Sequence, residues 1–211
     1  MSDIATTSAS AFDAAADTYD EDLHHVEIAE ELVRGLQPTS PPALVVDVAT
    51  GTGFAAFAAL RLLAAQRVVG VDISRGMLDR ARAKAPHEDP HGRIEWRHAP
   101  AVPLDLATGS VDVVLCASAL HLLGLDALRE WLRVLRPGGQ VAFSVPMAED
   151  FHPSPEFRRM VESHLSVPSD ADAAARIALD AGFAGVSAGI LAPTSAERRR
   201  RVFIVRAQAP L

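Results

Sequence analysis

The sequence predicts an α/β fold with a mainly parallel sheet. Short apolar runs alternate with amphipathic segments from residue 44 onward, and the chain ends in two apolar runs at 183–191 and 201–207. Strands that alternate with helices form βαβ units, in which the strands are parallel. The gap between the last two runs is too short for a crossover helix, so these strands are predicted to form an antiparallel hairpin.

Each element has its own signal in the sequence. The predicted strands are the apolar runs at 44–48, 67–72, 94–98, 111–116, 140–145, 183–191 and 201–207. The predicted helices have apolar residues every three or four positions and cover 23–36, 53–65, 74–85, 125–135 and 172–181. Ser74 is a suitable N-cap. Pro137, Gly138 and Gly139 are predicted to close the fourth helix, and the segment 86–93, rich in turn residues, is a predicted loop.

Length and composition limit the classes of protein. A chain of 211 residues fits one domain, predicted at 16–211, after a flexible segment at 1–15 whose first residues are small and polar. The net charge of -7 argues against a nucleic-acid partner, because phosphates would be repelled. The chain has no apolar run of the ~18 residues that cross a bilayer. One cysteine, Cys116, excludes an internal disulfide, and we expect a soluble, cytoplasmic protein without a membrane partner.

The strongest functional signal is a glycine-rich turn, DVATGTG at 47–53, between the first predicted strand and the next helix. Glycines let the backbone bend sharply and approach a ligand. Asp72, at the end of the second strand, can accept hydrogen bonds from both hydroxyls of a ribose. The pattern predicts an adenosine-containing cofactor. Residues 51–56 also satisfy the G-x-G-x-x-A fingerprint of nicotinamide dinucleotide sites, so the loop alone leaves the cofactor open.

Four motifs together resemble the class I S-adenosylmethionine-dependent methyltransferases, and within them the type 11 group that includes ubiquinone and menaquinone biosynthesis methyltransferases. The motifs are 47–53, 72–78, 111–114 with 119–122, and 135–139. The resemblance extends over 12–207, and 12–20 is similar to the family's N-terminal lid. It implies a Rossmann-like, doubly wound, mainly parallel seven-stranded sheet with an antiparallel C-terminal strand. It also implies S-adenosylmethionine as cofactor and S-adenosylhomocysteine as product.

The resemblance assigns cofactor contacts by position. Asp72 is expected at the ribose, Ile73 and Met77 against the adenine, and the loop around the methionine part, with Asp47 near the amino group. His98 and Ala99 stand where the family has an Asp-Ala pair at the adenine amino group. The remaining residues of the predicted cofactor-binding set are Tyr19, Ala49, Thr50, Gly51, Thr52, Gly53, Cys116 and Ala117. Ala49 replaces a common glycine, and we expect negative φ there.

Two other functions remain open. A NAD(P)-dependent oxidoreductase is disfavoured by the acidic Asp47 ahead of the loop, by the Pro-Gly-Gly segment 137–139 and by the terminal strand pair. The chain's one tyrosine, Tyr19, and one lysine, Lys84, are also not placed as a catalytic pair. The second alternative is a protein that keeps the fold and binds the cofactor without transferring a methyl group.

The acceptor side carries weaker signals. His121, just beyond the fourth strand, is a candidate general base, and local packing is the alternative role. The segment 146–168 is short, which favours a small-molecule acceptor. Its candidate pocket residues are Phe151, His152, Phe157, Met160 and Val161. A nucleophilic role for Cys116 is not expected because methyl transfer needs none, no metal-ligand pattern is present, and the arginines at 198–201 are predicted to be an exposed hairpin tip.

Overall fold

The computed structural model describes residues 3–161, 165–194 and 200–211. Its strands are β1 (Leu44–Val48), β2 (Arg67–Asp72), β3 (Ile94–His98), β4 (Val111–Cys116), β5 (Leu135–Pro146), β6 (Ala184–Leu191) and β7 (Val202–Gln208). Within the described residues they form one seven-stranded sheet in the order β3-β2-β1-β4-β5-β7-β6. Strands β1 to β5 are parallel, and β7 is antiparallel to both β5 and β6. The predicted fold class and the terminal hairpin are confirmed.

Helices cover both faces of this sheet. They are α1 (Asp3–Ala15), α2 (Leu23–Arg34), α3 (Phe54–Leu62), α4 (Arg75–Glu88), α5 (Leu120–Leu123), α6 (Leu125–Val134), α7 (Pro155–Met160) and α8 (Ala171–Asp180). The short helices α5 and α7 have too few residues for a periodic signal, and the sequence reading missed them. The segment predicted to be flexible, 1–15, is helical over Asp3–Ala15, and its mobility stays a prediction.

A hydrophobic core lies on each face of the sheet. On one face, Leu128 and Trp131 of α6 pack with Phe143 of β5, and all three are fully buried. On the other, Leu32 of α2 and Phe57 of α3 belong to a second buried cluster. Strand β1 contributes to both cores because successive side chains of a strand point to opposite faces. No helix among the described residues is long and apolar enough to cross a membrane.

Two helix ends differ from the sequence prediction. Helix α4 continues through Pro86 to Glu88, although the prediction ended it at residue 85. A proline removes one backbone donor, and near the end of a helix this loss is small because the Asp89 N–H still closes the last turn on the Ala85 carbonyl, 2.8 Å away. Pro137, Gly138 and Gly139 do not close the fourth helix as predicted: α6 ends at Val134, and these residues lie within β5, which begins at Leu135 and shifts its register against β4.

The parallel strands place the functional loops together. Asp47 of β1 lies opposite Gly70 of β2 and Leu115 of β4, so the carboxyl ends of the three strands meet at one edge. The strand order reverses at β1, and ligands of open α/β sheets bind at such a point. The arginine run 198–201, just before β7, lies partly outside the described residues. Arg201 itself is paired with Asp150 at 2.7 Å.

Two leucines of α6 offer a matched test of the core. Leu128 is fully buried and Leu125 is 38% exposed. We expect Leu128→Ala to lower the free energy of unfolding by about 2–5 kcal/mol, because it leaves a cavity. Leu125→Ala should cost less than about 1 kcal/mol. Urea unfolding followed by circular dichroism measures both, and equal losses would contradict the packing described for α6.

Candidate functional site

A cavity of about 310 Å³ opens at the carboxyl ends of β1, β2 and β4. Its walls come from α1, the loop after β1, the end of β2, residues 100–102 and the segment after β4. Several residues of the predicted cofactor set line it: Tyr19, Ala49, Gly51, Asp72, Ile73, Met77 and Ala117. The structure therefore brings together residues that are up to about one hundred positions apart in the sequence.

Asp72 joins the two predicted parts of the site. It ends β2 and is 8% exposed. One carboxylate oxygen accepts a hydrogen bond from the Gly51 N–H at 2.8 Å, and the other accepts from the Ser74 N–H at 2.8 Å. Burial raises the pKa of Asp72, and these backbone donors oppose the rise. Each oxygen has a second acceptor position, so the carboxylate can also receive hydroxyl groups of a ligand.

Asp47 supports the loop from below. It is 1% exposed, and its Oδ2 accepts from the Thr50 hydroxyl at 2.5 Å and from the Ala56 N–H at 3.0 Å. Its Oδ1 is buried and has no hydrogen-bond partner among the described residues. Burial raises the pKa of Asp47 to about 7. The Asp47 side chain therefore connects β1 to α3, and its Oδ1 remains available as a hydrogen-bond acceptor beside the loop.

The loop itself corrects one expectation. Ala49 has φ +53, in the left-handed region, whereas the sequence reading expected negative φ. The reason is the sharp turn after β1, which lets the Thr50 N–H donate to the Val71 carbonyl of β2 at 3.0 Å. Gly53 also has positive φ, and a Cβ there would lie 2.6 Å from the Trp96 ring. Glycine is therefore required at Gly53, while Ala49 carries backbone strain.

The other members of the predicted cofactor set lie off the cavity wall. His98 is exposed and directs Nε2 to the Ile73 carbonyl at 2.9 Å, as a donor in the Nε2–H tautomer. Pro100, Ala101 and Val102 line the cavity on this side instead. The backbone of Ala99 donates to the Asp72 carbonyl at 3.0 Å. The remaining members are buried and are not among the residues that line the cavity: Asp47, Thr50, Thr52, Gly53 and Cys116.

His121 is packed more tightly than a free base would be. It is 6% exposed and lies against two aromatic rings, with centroid distances of 5.5 Å to Phe151 and 5.8 Å to Phe157. Its Nδ1 is buried and has no partner in the described part of the chain. Burial lowers the pKa of His121 to about 4. The ring is neutral at pH 7 and weakly basic, which favours the packing role, and the base role stays a prediction.

Some cavity residues were missed from the sequence. Phe12 and Leu122 line the cavity and fall inside motifs that were quoted for the resemblance, so motif position could have identified them. Ser8, Val102 and Leu123 have no local signal of their own. Cys116 is fully buried, and burial raises its thiol pKa well above the usual range. Among the described residues, no group of three or more His, Cys, Asp or Glu is arranged to hold a metal ion.

The sequence is similar to known methyltransferases. Residues 45–139 match the family described as "Methyltransferase domain". The chain is 34% identical to malonyl-[acyl-carrier protein] O-methyltransferase from Serratia marcescens, over 64% of this chain and 51% of the relative. It is 33% identical to ubiquinone/menaquinone biosynthesis C-methyltransferase from Dinoroseobacter shibae, over 64% of this chain and 54% of the relative. The chain thus spans about half the length of these curated relatives.

Solved structures share the fold at lower identity. A methyltransferase from Haloferax volcanii, in complex with the Trm112 methyltransferase activator, has a TM-score of 0.76 at 23% identity, over 95% of this chain and 98% of its own. A second structure is phosphoethanolamine N-methyltransferase 2 from Haemonchus contortus, in complex with phosphomonomethylethanolamine and S-adenosylhomocysteine. It has a TM-score of 0.70 at 16% identity, over 94% of this chain and 58% of its own. The sequence and fold therefore resemble S-adenosylmethionine-dependent methyltransferases, as the motifs predicted.

The strain at Ala49 can be measured. Glycine adopts positive φ without a steric penalty but adds entropy to the unfolded chain, so we expect Ala49→Gly to change stability by zero to about +1 kcal/mol. The matched change Ala58→Gly, in the buried interior of α3, should cost about 1 kcal/mol or more. Denaturant unfolding compares the two, and a loss at Ala49→Gly as large as at Ala58→Gly would contradict the strained turn.

The buried His121 predicts a pH effect on stability. Between its ordinary pKa of 6.5 and its folded value of about 4, the unfolded chain takes up a proton that the folded protein does not. His121 should therefore lower the free energy of unfolding as pH falls through this range, by up to about 1.4 kcal/mol per pH unit. His121→Phe removes this contribution, so the slope of the free energy of unfolding against pH, measured by urea unfolding between pH 6.5 and 4, should be lower in the variant than in the wild type, whatever other buried groups such as Asp47 add to both. An unchanged slope would show that the ring titrates normally.

Proposed function

We propose that this chain, whose residues 45–139 match methyltransferase domains, is an S-adenosylmethionine-dependent methyltransferase that acts on a small-molecule acceptor. The observation that carries the proposal is the pairing of Gly51 with Asp72 at the cavity. This hydrogen bond brings the glycine-rich loop and the Asp72 carboxylate together, at the point where the strand order of the sheet reverses. Both elements lie within the segment that matches the family.

The residues present fit this cofactor. The free acceptor positions of Asp72 suit the ribose hydroxyls, and Ile73 and Met77 offer apolar surface to the adenine. The backbone of 49–53 suits the methionine part. The unpartnered Oδ1 of Asp47 supplies a buried acceptor beneath that loop, where an ammonium group would offset the cost of burying the carboxylate. Thr52 acts indirectly, since its hydroxyl binds Asp20.

The chain's own contribution to catalysis is alignment and exclusion of water. The sulfonium of the bound cofactor supplies an activated methyl group, for in-line displacement by a nucleophile of the acceptor. The cavity walls hold the reactants and limit solvent, an effect of proximity and desolvation. A base is needed only for an acceptor that must lose a proton. His121 remains the candidate for that role, with the low basicity described above.

The cavity lining favours an uncharged acceptor. Among the described residues that line it, Asp72 and Tyr19 are the titratable ones, and the others are apolar or small. An anionic acceptor group would lose its hydration there without an opposite charge to replace it, and Asp72, which could face a cation, is assigned to the ribose of the cofactor. We therefore propose a neutral, largely apolar acceptor. The curated relatives act on malonyl-acyl-carrier protein or on quinone precursors, and this lining fits the second type better.

Partners and location follow less directly. The Haloferax structure is of a complex with an activator protein, so activity of this chain alone is the first point to establish. We propose that the small-molecule acceptor is its main partner, without a nucleic acid. The cytoplasmic location expected from the sequence stays a prediction.

Ligand-dependent melting tests the cofactor. S-adenosylhomocysteine should raise the melting temperature and NAD should not, because a ligand stabilises only the state that binds it. A shift with NAD alone would overturn the assignment. Asp72→Ala should weaken S-adenosylhomocysteine binding by about 1.5–3 kcal/mol, the value of hydrogen bonds to a charged acceptor. Asp79→Ala is the matched control, an exposed aspartate on α4. Circular dichroism confirms that both variants are folded.

Transfer itself is tested by formation of S-adenosylhomocysteine with a panel of neutral apolar acceptors and a matched panel of anionic ones. Turnover with the neutral panel supports the proposal. Turnover confined to the anionic panel would contradict the acceptor class. Binding of the cofactor without turnover in any member would favour the alternative of a non-catalytic protein with the same fold.

A further inference from the structure

The N-terminal segment 8–21 has two different sides. Ser8, Phe12 and Tyr19 line the cavity. Three aspartates, Asp13, Asp17 and Asp20, instead contact groups of α4 and its first turn. The segment therefore lines the cavity with one set of side chains and contacts α4 with another.

The first contact is at the start of α4. One carboxylate oxygen of Asp13 accepts from the Ser74 hydroxyl at 2.6 Å and from the Gly76 N–H at 2.9 Å. The backbone of the segment passes close here, since a Cβ at Gly76 would lie 3.3 Å from the Asp13 Cα. The hydrogen bonds lower the pKa of Asp13, so the carboxylate is ionised at neutral pH.

The next two contacts are ion pairs further along the same helix. Arg80 donates to the carboxylate and the carbonyl of Asp17, at 2.8 Å and 3.0 Å. The Lys84 ammonium lies 2.8 Å from one oxygen of Asp20. Positions 76, 80 and 84 recur every four residues, so the three contacts follow one face of α4 in register with the segment.

Asp20 has a second contact, with the cofactor loop. Its other oxygen accepts from the Thr52 hydroxyl at 2.6 Å. The preceding residue, Tyr19, lies beside the loop, and its ring is 3.9 Å from the position that a Cβ at Gly51 would occupy. Lys84 is itself held 4.0 Å above the Phe54 ring. One carboxylate thus connects the segment, the loop and α4.

Apolar packing of this segment is partial. In the described side chains of 8–21, Ser8 and Ala16 are buried, Phe12 and Tyr19 are half-buried, and the Tyr19 ring stacks on His25 of α2 with a centroid distance of 4.3 Å. A segment that buries few apolar groups opens at a small free-energy cost. The polar contacts with α4 therefore contribute, beside this partial packing, to how much of the time the segment is closed.

We propose that Asp13, Asp17 and Asp20 form an electrostatic latch that holds the segment 8–21 across the cavity, and that Asp20 is a positioning residue for the cofactor. The identity of the ligand rests on the proposed function, whereas the latch rests on the contacts above. Closure slows the release of the bound cofactor. Ion pairs between exposed groups are screened by salt, so release becomes faster as the salt concentration rises.

The test compares four variants by stopped-flow measurement of S-adenosylhomocysteine dissociation. Asp20→Asn keeps an acceptor for Thr52 and removes the charge, and Lys84→Gln removes the opposite charge. Both should speed dissociation by about threefold to tenfold, the effect of a partly buried ion pair. Lys84→Arg should restore slow release. Arg82→Gln is the matched control, because Arg82 lies on the same helix and pairs with Asp79 rather than with the segment.

The salt dependence of the dissociation rate gives a second test of the latch. Raising the NaCl concentration from about 0.05 M to about 0.5 M should speed dissociation from the wild type and from Arg82→Gln, since it shortens the range of electrostatic attraction. It should have less effect on Asp20→Asn and Lys84→Gln, which lack the central pair. Equal salt dependence in all four proteins would overturn the latch.

Hydrogen exchange separates the latch from the identity of the ligand. Without any ligand, amides of 8–21 should exchange faster in Asp20→Asn and Lys84→Gln than in Arg82→Gln. Exchange equal to the control would overturn the latch. Faster exchange with unchanged dissociation would overturn the positioning role of Asp20. If the wild type does not bind S-adenosylhomocysteine, the proposed function fails, and the exchange rates still decide the latch.

Discussion

The hydrogen bond between the Gly51 N–H and the Asp72 carboxylate is the interaction on which the site depends. It connects the loop after β1 to the end of β2, two neighbouring strands whose carboxyl ends meet at the same edge. The Thr50 N–H, bound to the Val71 carbonyl, strengthens the same connection. Because both contacts use backbone groups, the loop keeps its shape independently of most of its side chains. At the cavity, the polar atoms of this connection keep hydrogen-bonding positions free for a ligand.

This arrangement has an electrostatic cost. Asp47 and Asp72 are both buried, and burial raises the pKa of each. Backbone N–H donors and the Thr50 hydroxyl compensate in part, but the Asp47 Oδ1 has no partner among the described residues. In the proposed function, the hydroxyl and ammonium groups of the cofactor would supply the missing donors. Strain at Ala49 lies in the same loop.

The N-terminal segment is held by a different type of interaction from the rest of the fold. The sheet and helices α2, α3 and α6 are held by buried apolar side chains. The segment 8–21 is held by carboxylates on α4 and on Thr52. Apolar burial makes the body of the protein stable, whereas ion pairs near solvent are weak and reversible. Because these ion pairs are weak and reversible, the segment 8–21 can open for exchange of the ligand while the sheet stays intact.

Much of the fold and part of the site could be predicted from the sequence. The strands were found because apolar runs of a parallel sheet are continuous and bounded by turns. Asp72, Gly51 and Met77 were placed on the cavity by their position in motifs. The prediction failed for the φ of Ala49, and His98 lies off the cavity wall. Both depend on contacts with another part of the chain, the Val71 carbonyl in one case and the Ile73 carbonyl in the other.

The sequence by itself determined the order of strands and helices, the terminal hairpin and the type of cofactor loop, because these depend on local periodicity and on residues close together in the chain. The tertiary structure alone decided which side chains face the cavity and which support it. It buried His121 between aromatic rings, left the Asp47 Oδ1 without a partner and joined Asp20 to Lys84 and Thr52. Burial and pairing between residues that are distant in the sequence set the charge and the exposure of these side chains. The spacing of residues along the chain does not encode that burial or that pairing.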